Sequence, residues 1–318
     1  MRSLVTGVAG FAGSHLAEHL LAMGDEVAGT ILAGESTANI APLGERVALH
    51  QADVRDPVAL AAAFAAFRPE AVYHLAGMAS VGDTWSKIPQ TLEVNALGLV
   101  NVIAAGRDAG SPRVLTIGSG EVYGRIEPGL QPIGEDTPFA PLSPYALSKV
   151  WQEEAGRFFH TRGYPVFLVR PFNHTGPRQS KLFVCADFAA QLAAIEAGLR
   201  EPVIRVGNLD ARRDFLDVRD VVSAYRLALT RGTPGTPYNI ASGTAPSIRE
   251  VLDLLRGFAS VPVRIEHEES RMRPSDLPIL AGDSSRLRRD TGWEPRIPFE
   301  RTLLDLLDFE RRAIAGRP

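Results

Sequence analysis

The sequence has a single cysteine, Cys185, in 318 residues. That excludes an intrachain disulfide and any multi-cysteine metal site, and no metal is expected. Lysine is almost as scarce: Lys87, Lys149 and Lys181 are the only three, although arginine is plentiful. Net charge is small, −3 with a pI near 6.2. Nothing in that balance points to nucleic acid or an anionic membrane as partner. No uncharged apolar run is long enough to span a bilayer. The chain runs straight into Arg2-Ser3-Leu4-Val5-Thr6-Gly7 without a signal-peptide pattern, so a soluble cytoplasmic protein is expected. Internal repeats, low-complexity tracts and long linkers are also missing. What is there is an ordinary hydrophobic fraction of 45%, enough for a sizeable core in one large domain or two unequal lobes.

The first half alternates short apolar runs with longer helical patterns. Strands are expected at Ser3–Thr6, Glu26–Thr30, Val47–His50, Ala71–Leu75, Val114–Ile117 and Val166–Val169. Helices are expected around Ala12–Ala22, Pro57–Phe67, Leu92–Ala109 and Tyr145–Thr161. This alternation implies βαβ units and a doubly wound parallel sheet of Rossmann type, an α/β fold. The second half is less regular, with helices near Val184–Ala197, Val218–Leu229 and Ile248–Phe258. Connections rich in Pro and Gly are expected at Asn173–Arg178 and Thr233–Pro237. The expected division is a dinucleotide domain of residues 1–170 plus about 214–241. A smaller α/β substrate lobe would take about 171–213 plus 242–318, with ligand in the cleft between.

The first strand opens into Thr6-Gly7-Val8-Ala9-Gly10-Phe11-Ala12-Gly13. Three glycines between a strand and a helix serve a tight turn, a close backbone approach to pyrophosphate, and close helix–sheet packing. The pyrophosphate then rests on the helix N-terminus. The spacing is G-x-x-G-x-x-G rather than G-x-G-x-x-G. The second strand ends Thr30-Ile31-Leu32-Ala33, with neither an acid for a ribose nor an arginine for a 2′-phosphate at its end. The choice between NAD(H) and NADP(H) therefore stays open. Asp53-Val54 follows the third strand, where Asp53 either touches adenine or belongs to the helix cap beside Asp56-Pro57.

Tyr145 and Lys149 stand four residues apart, on one face of a helix. A tyrosine with a pKa of about 10 is a poor acid–base group near neutrality. A nearby ammonium favours its phenolate. Pro144 suits the first helical turn and puts Tyr145 near the N-terminal end, where negative charge is favoured.

Together, the glycine turn, Asp53-Val54, His74-Leu75-Ala76-Gly77, Ser119 and Tyr145-x-x-x-Lys149 resemble the extended short-chain dehydrogenase/reductase superfamily. The resemblance implies that Tyr145 is the acid–base group, that Lys149 orients the nicotinamide ribose, and that Ser119 hydrogen-bonds the substrate oxygen. It implies NADP(H) or NAD(H) held by Gly7, Gly10, Phe11, Ala12, Gly13, Asp53, Val54, Leu75, Ala76, Gly77, Tyr145, Lys149, Pro171 and His174. In the second half, Arg170-Pro171-Phe172-Asn173-His174-Thr175-Gly176-Pro177 resembles a segment of two related enzyme families. These are the GDP-mannose 4,6-dehydratases and the GDP-4-keto-6-deoxy-D-mannose reductases. Gly207–Phe215, Arg271–Pro278 and Thr291–Pro295 extend the match over nearly the full length. Asp83-Thr84-Trp85 and Arg213-Asp214-Phe215 lean toward the reductases.

The resemblance implies a GDP-sugar contacted by Ser119, Gly120, Asn173, Arg213, Arg273, Ser275 and Asp276. Planar guanidinium groups suit the diphosphate because they bind it in bidentate fashion. His174 is either a cofactor contact or structural, and Tyr123 is read as packing. Glu121, two residues after Ser119, is a catalytic candidate because a dehydratase needs a carboxylate to remove a proton from C5. Rival readings are a GDP-mannose 4,6-dehydratase, a nucleotide-sugar 4-epimerase, or a non-catalytic dinucleotide sensor. The family resemblance also implies a homodimer through the helices at Leu92–Ala109 and Tyr145–Thr161, whose apolar faces sheet packing explains equally well.

Overall fold

The computed structural model describes residues 1–79, 81–272 and 277–316. β1 (Arg2–Thr6) leads through α1 (Phe11–Ala22) to β2 (Glu26–Ile31) and β3 (Val47–Gln51). Next come α2 (Pro57–Phe67), β4 (Ala71–His74), the single-turn α3 (Val81–Thr84), α4 (Ile88–Leu92) and α5 (Gly98–Asp108). β5 (Arg113–Ile117), α6 (Pro144–Thr161) and β6 (Val166–Pro171) complete the first half. The second half contains β7 (Asn173–Thr175), α7 (Val184–Glu196), β8 (Val203–Val206), β9 (Arg212–Arg213) and β10 (Phe215–Asp217). After these come α8 (Val218–Arg231), β11 (Pro237–Ile240), α9 (Ile248–Gly257), β12 (Arg264–His267), β13 (Ile279–Leu280), α10 (Ser285–Thr291) and α11 (Phe299–Ile314).

Seven strands form one parallel sheet in the order β11-β6-β5-β4-β1-β2-β3. β4 and β6 are buried along their whole length, as strands covered on both faces must be. The order reverses between β1 and β4, so a crevice opens there at the C-terminal edge. This is the expected Rossmann architecture. Its seventh strand, β11, differs from expectation because its lead-in, Thr233–Pro237, reads as a connection. β7 likewise falls in the expected Asn173–Arg178 connection. It is only three residues long, and its partner β10 is distant in sequence. Neither feature leaves a local pattern.

Local chemistry sets the helix ends. Asp56 caps α2 by accepting from the Val58 and Ala59 amides, with Pro57 at the first helical position. Ser143 caps α6 through the Ala146 amide at 3.1 Å, which places Tyr145 in its first turn. Between α4 and α5, Glu93–Leu97 form a π-helical turn, so one continuous helix runs from Ile88 to Asp108. It starts earlier than the expected Leu92. By length and composition it could cross a bilayer. Its Leu99, Val102 and Ile103 are instead buried against Leu60 and Phe64 of α2 and against the sheet.

A second apolar core joins α7, α9 and α11 with β8, around Leu192, Ile204, Leu252 and Leu306. Leu287 and Trp293, far along the chain, pack instead with α1, α8 and the sheet. The largest buried charge is Arg170, at the end of β6. It donates twice to Glu153 of α6, at 2.6 and 2.8 Å, and once each to the Tyr123 hydroxyl and the Glu135 carbonyl. Tyr123 passes the chain of bonds on to Asn239 of β11 at 2.7 Å. Tyr123 is therefore a structural link as well as a packing group.

Candidate active site

Gly7 follows β1 with φ +68°, a left-handed conformation natural to glycine. A Cβ at Gly13 would lie 2.2 Å from the Gly7 carbonyl, so α1 packs too closely on the turn for any side chain there. Gly10 is the N-cap of α1 and supplies no side-chain acceptor, and no acid occupies the first turn. The amides of Phe11, Ala12 and Gly13 are left to meet an anion at the positive end of the helix.

Beside this turn lies a cavity of about 280 Å³. Gly7, Gly10, Leu75, Ala76 and Gly77 line it, together with Asp53 and Val54. The sequence had assigned all of these to a dinucleotide. Of the two readings of Asp53, the helix cap goes to Asp56. Asp53 stands on the cavity wall and grips Arg55 at 2.6 Å, and that guanidinium holds its carboxyl below the usual range. A larger opening of about 400 Å³ runs between Glu135–Thr137 and Asp283–Arg289. It is shallow, its Arg286 is already paired with Asp136 at 2.8 Å, and no candidate catalytic residue lines it.

The donor set fits a nicotinamide dinucleotide: an uncapped helix end for the pyrophosphate and a cavity at the strand-order reversal for the adenosine. The chain of contacts continues toward the reactive end. Thr6 Oγ1 accepts from the Ala76 amide at 3.1 Å and faces His74 Nδ1 at 3.0 Å. Burial, with Lys149 adding to it, pushes the His74 pKa down to about 3, so the ring is neutral. Its Nε2 has no hydrogen-bond partner among the described residues.

Lys149, on α6, is buried. Its Nζ donates to the Ile117 carbonyl and to Gln152 Oε1, both at 2.9 Å, and lies 5.8 Å from the centre of the Tyr145 ring. Burial lowers its pKa to about 7. Tyr145 differs from the sequence expectation. Burial raises its phenol to about 12, a hydrogen-bonding interaction with Ser119 works in the lowering direction, and the charge of Glu121 raises it. Desolvation dominates here, and the Lys149 ammonium is turned to Ile117 and Gln152. Ser119 lies two residues beyond the end of β5 and caps the short turn Gly120–Tyr123, its Oγ accepting from the Glu121 amide at 3.1 Å. Gly120 lies against the Phe172 ring, where a Cβ would approach to 3.0 Å. Ser119, Glu121, Tyr145 and Lys149 are thus brought together at the C-terminal edge of the sheet.

Pro171 ends β6, and His174 lies on β7. The His174 ring stacks on Phe11 at 5.9 Å and 12°, beside the glycine turn, and its Nδ1 pairs with the Phe172 carbonyl at 3.1 Å. Asn173 lies opposite Phe215 in the β7–β10 pair, two residues from Arg213. Arg213 donates to the Leu277 carbonyl at 2.6 Å. Arg273, Ser275 and Asp276 lie outside the described residues.

Sequence reasoning missed Asn95 and Gln152. Asn95 lies in the π-helical turn and holds both the amide and the carbonyl of Met78, at 2.8 and 3.1 Å, and Ser148 Oγ at 2.9 Å. It ties the loop after β4 to α6. Gln152 receives Lys149 and donates to Thr116 at 2.7 Å. Gln152 was findable, one turn beyond Lys149. Nothing local marked Asn95.

The family model described as GDP-mannose 4,6 dehydratase matches residues 4–306. The chain is 37% identical over 314 residues to the GDP-6-deoxy-D-mannose reductase of Pseudomonas aeruginosa, covering 98% of each. The solved structure of RMD from Pseudomonas aeruginosa complexed with NADPH superimposes with a TM-score of 0.85 at 35% identity, covering 98% of this chain and 99% of that one. The UDP-glucose 4-epimerase of Thermus thermophilus, solved with NAD, gives a TM-score of 0.87 at 32% identity, with 98% and 100% coverage.

Proposed function

The chain belongs to the GDP-mannose 4,6-dehydratase family, and on that premise we propose that it is an NAD(P)H-dependent reductase of a GDP-sugar. It reduces the C4 keto group of GDP-4-keto-6-deoxy-D-mannose to give GDP-D-rhamnose or its C4 epimer. The carrying observation is the convergence of Ser119, Tyr145 and Lys149 beside the glycine-turn cavity, in a chain matching a reductase end to end. When bound, the reduced nicotinamide supplies the hydride. The Ser119 hydroxyl orients the keto oxygen, and Tyr145 donates a proton to it as negative charge develops. A phenol kept protonated by burial is suited to that donation. Lys149 binds the nicotinamide ribose, and Asn173, Arg213 and Arg273 hold the sugar diphosphate. The domain division expected from sequence serves this reading, with the sugar held between the sheet edge and the α7–α9–α11 lobe.

Glu121 favours a second reading. Its charge is close enough to raise Tyr145, so a carboxylate is placed where a 4,6-dehydratase would need one. Incubation with GDP-4-keto-6-deoxymannose and NADH or NADPH separates the two. A reductase consumes one reduced cofactor per sugar. Turnover of GDP-mannose to the 4-keto sugar without net consumption identifies the dehydratase. A non-catalytic sensor would do neither.

The assembly we propose is a homodimer through α5 and α6. Trp151 and Phe158 of α6 are 51% and 54% exposed, and Leu97, in the neighbouring helix, is 57% exposed. Large apolar groups this close together mark a surface that a second copy covers.

A further inference from the structure

We propose that Glu35 reads the 2′ position of the adenosine ribose and makes this chain select NAD(H) over NADP(H). The inference deepens the cofactor half of the reading above and is independent of its sugar half. The solved relatives occur with either cofactor, so the choice is set by the cavity of this chain. The end of β2 offers no acidic or basic side chain, and Leu32 and Ala33 are exposed there. The chain then turns back. Gly34 takes φ +74°, and the Glu35 amide donates to the Leu32 carbonyl at 3.2 Å. In return, the Leu32 amide donates to Glu35 Oε2 at 2.8 Å. Backbone and side chain are thus both tied to Leu32, which fixes the carboxylate on the cavity wall with Thr30 and Ile31. Among the described residues no donor meets Oε1.

Here the acid that normally ends the second strand of a dinucleotide fold is delivered from a loop residue four positions beyond the strand end. Its available oxygen accepts a ribose hydroxyl in a charge-assisted hydrogen bond. A 2′-phosphate would carry about −1.5 to −2 charges to the same place. The cavity offers little to neutralise it. Arg55 is its one basic lining residue among the described residues and is already clasped by Asp53, so Glu35 leaves the lining net negative. Arg178 reaches the same loop at the Asn39 carbonyl, but its guanidinium is paired with Glu18 at 2.7 Å and does not line the cavity.

The test is calorimetric titration of the full chain with ADP-ribose and with 2′-phospho-ADP-ribose. Neither probe contains nicotinamide or the GDP-hexose of the proposed substrate, so a failure of the reductase reading would leave the ratio standing. The unphosphorylated probe should bind at least ~10-fold more tightly to the wild type, a difference of one strong polar contact. Glu35→Gln should bring the two within about threefold, and Glu35→Arg should reverse the order. Glu35→Gln keeps an oxygen for the Leu32 amide and carries the test if Glu35→Arg does not fold. Equal wild-type affinities, a preference for the phosphorylated probe, or an unchanged ratio in Glu35→Gln would each overturn the assignment.

Discussion

Replacing Gly13 by alanine adds one carbon at the point where α1 touches the turn after β1. That carbon would sit 2.2 Å from the Gly7 carbonyl oxygen and 3.0 Å from Val8 Cα, where ordinary contact begins at 3.4 Å. The atoms must separate by about 1.2 Å, and they are backbone on one side and helix on the other. The Gly7 carbonyl also accepts from the Gly10 amide at 3.1 Å, so the movement disturbs the turn itself. Overpacking of this kind costs about 1–3 kcal/mol of stability. The larger effect falls on the cofactor. Displacing the Phe11–Gly13 amides removes at least one charge-assisted bond to the pyrophosphate, about 1.5–3 kcal/mol, which weakens binding roughly ten- to hundredfold. Titration of NADH or NADPH by nicotinamide fluorescence reads this directly, with the melting temperature recorded alongside. Gly257→Ala, at the exposed end of α9, is the control: its added carbon meets nothing within 4 Å, so it should leave binding unchanged. Affinity of Gly13→Ala within about threefold of wild type, in a folded protein, would refute the pyrophosphate site at this turn.

Three further outcomes are expected. Tyr145→Phe should retain cofactor affinity and lose about 10²–10⁴ in turnover; near-normal turnover with the 4-keto sugar would remove Tyr145 from the reaction. Lys149 gives a pH signature. Its folded pKa of about 7 lies below the ordinary lysine value of 10.5, so between these the unfolded chain binds the extra proton and stability rises with pH. The wild-type melting temperature should therefore climb from about pH 7 to about 9.5, relative to Lys149→Met, by the equivalent of about 1.4 kcal/mol per pH unit; parallel curves would refute it. Trp151→Glu with Phe158→Glu should shift sedimentation to the monomer, and an unchanged sedimentation coefficient would move the interface elsewhere.

Much of the site was legible because its chemistry is local. The glycine turn, the Ser143 cap, Pro144 and the Tyr145–Lys149 spacing each act within one or two helical turns, and each lies where local reading places it. Six of the seven sheet strands were readable as short apolar runs between helical patterns, whereas β11, buried along its whole length, was hidden behind its Pro- and Gly-rich lead-in. β7, β9 and β13 escaped because two- and three-residue strands exist only through their distant partners. Asn95 escaped for the same reason: its value lies in holding Met78 and Ser148, residues that the chain order keeps far from each other.

By itself, then, the sequence determined most element types of the first half, the glycine turn between β1 and α1, and the Tyr145–Lys149 spacing at the start of α6. These depend on backbone geometry and side-chain chemistry over a few residues. The tertiary structure decided how those groups are charged and what they face. Only packing could bury Lys149 and Tyr145 enough to move their protons in opposite senses. Only the fold of the loop after β2 could bring Glu35 back over a strand end that carries no acid of its own.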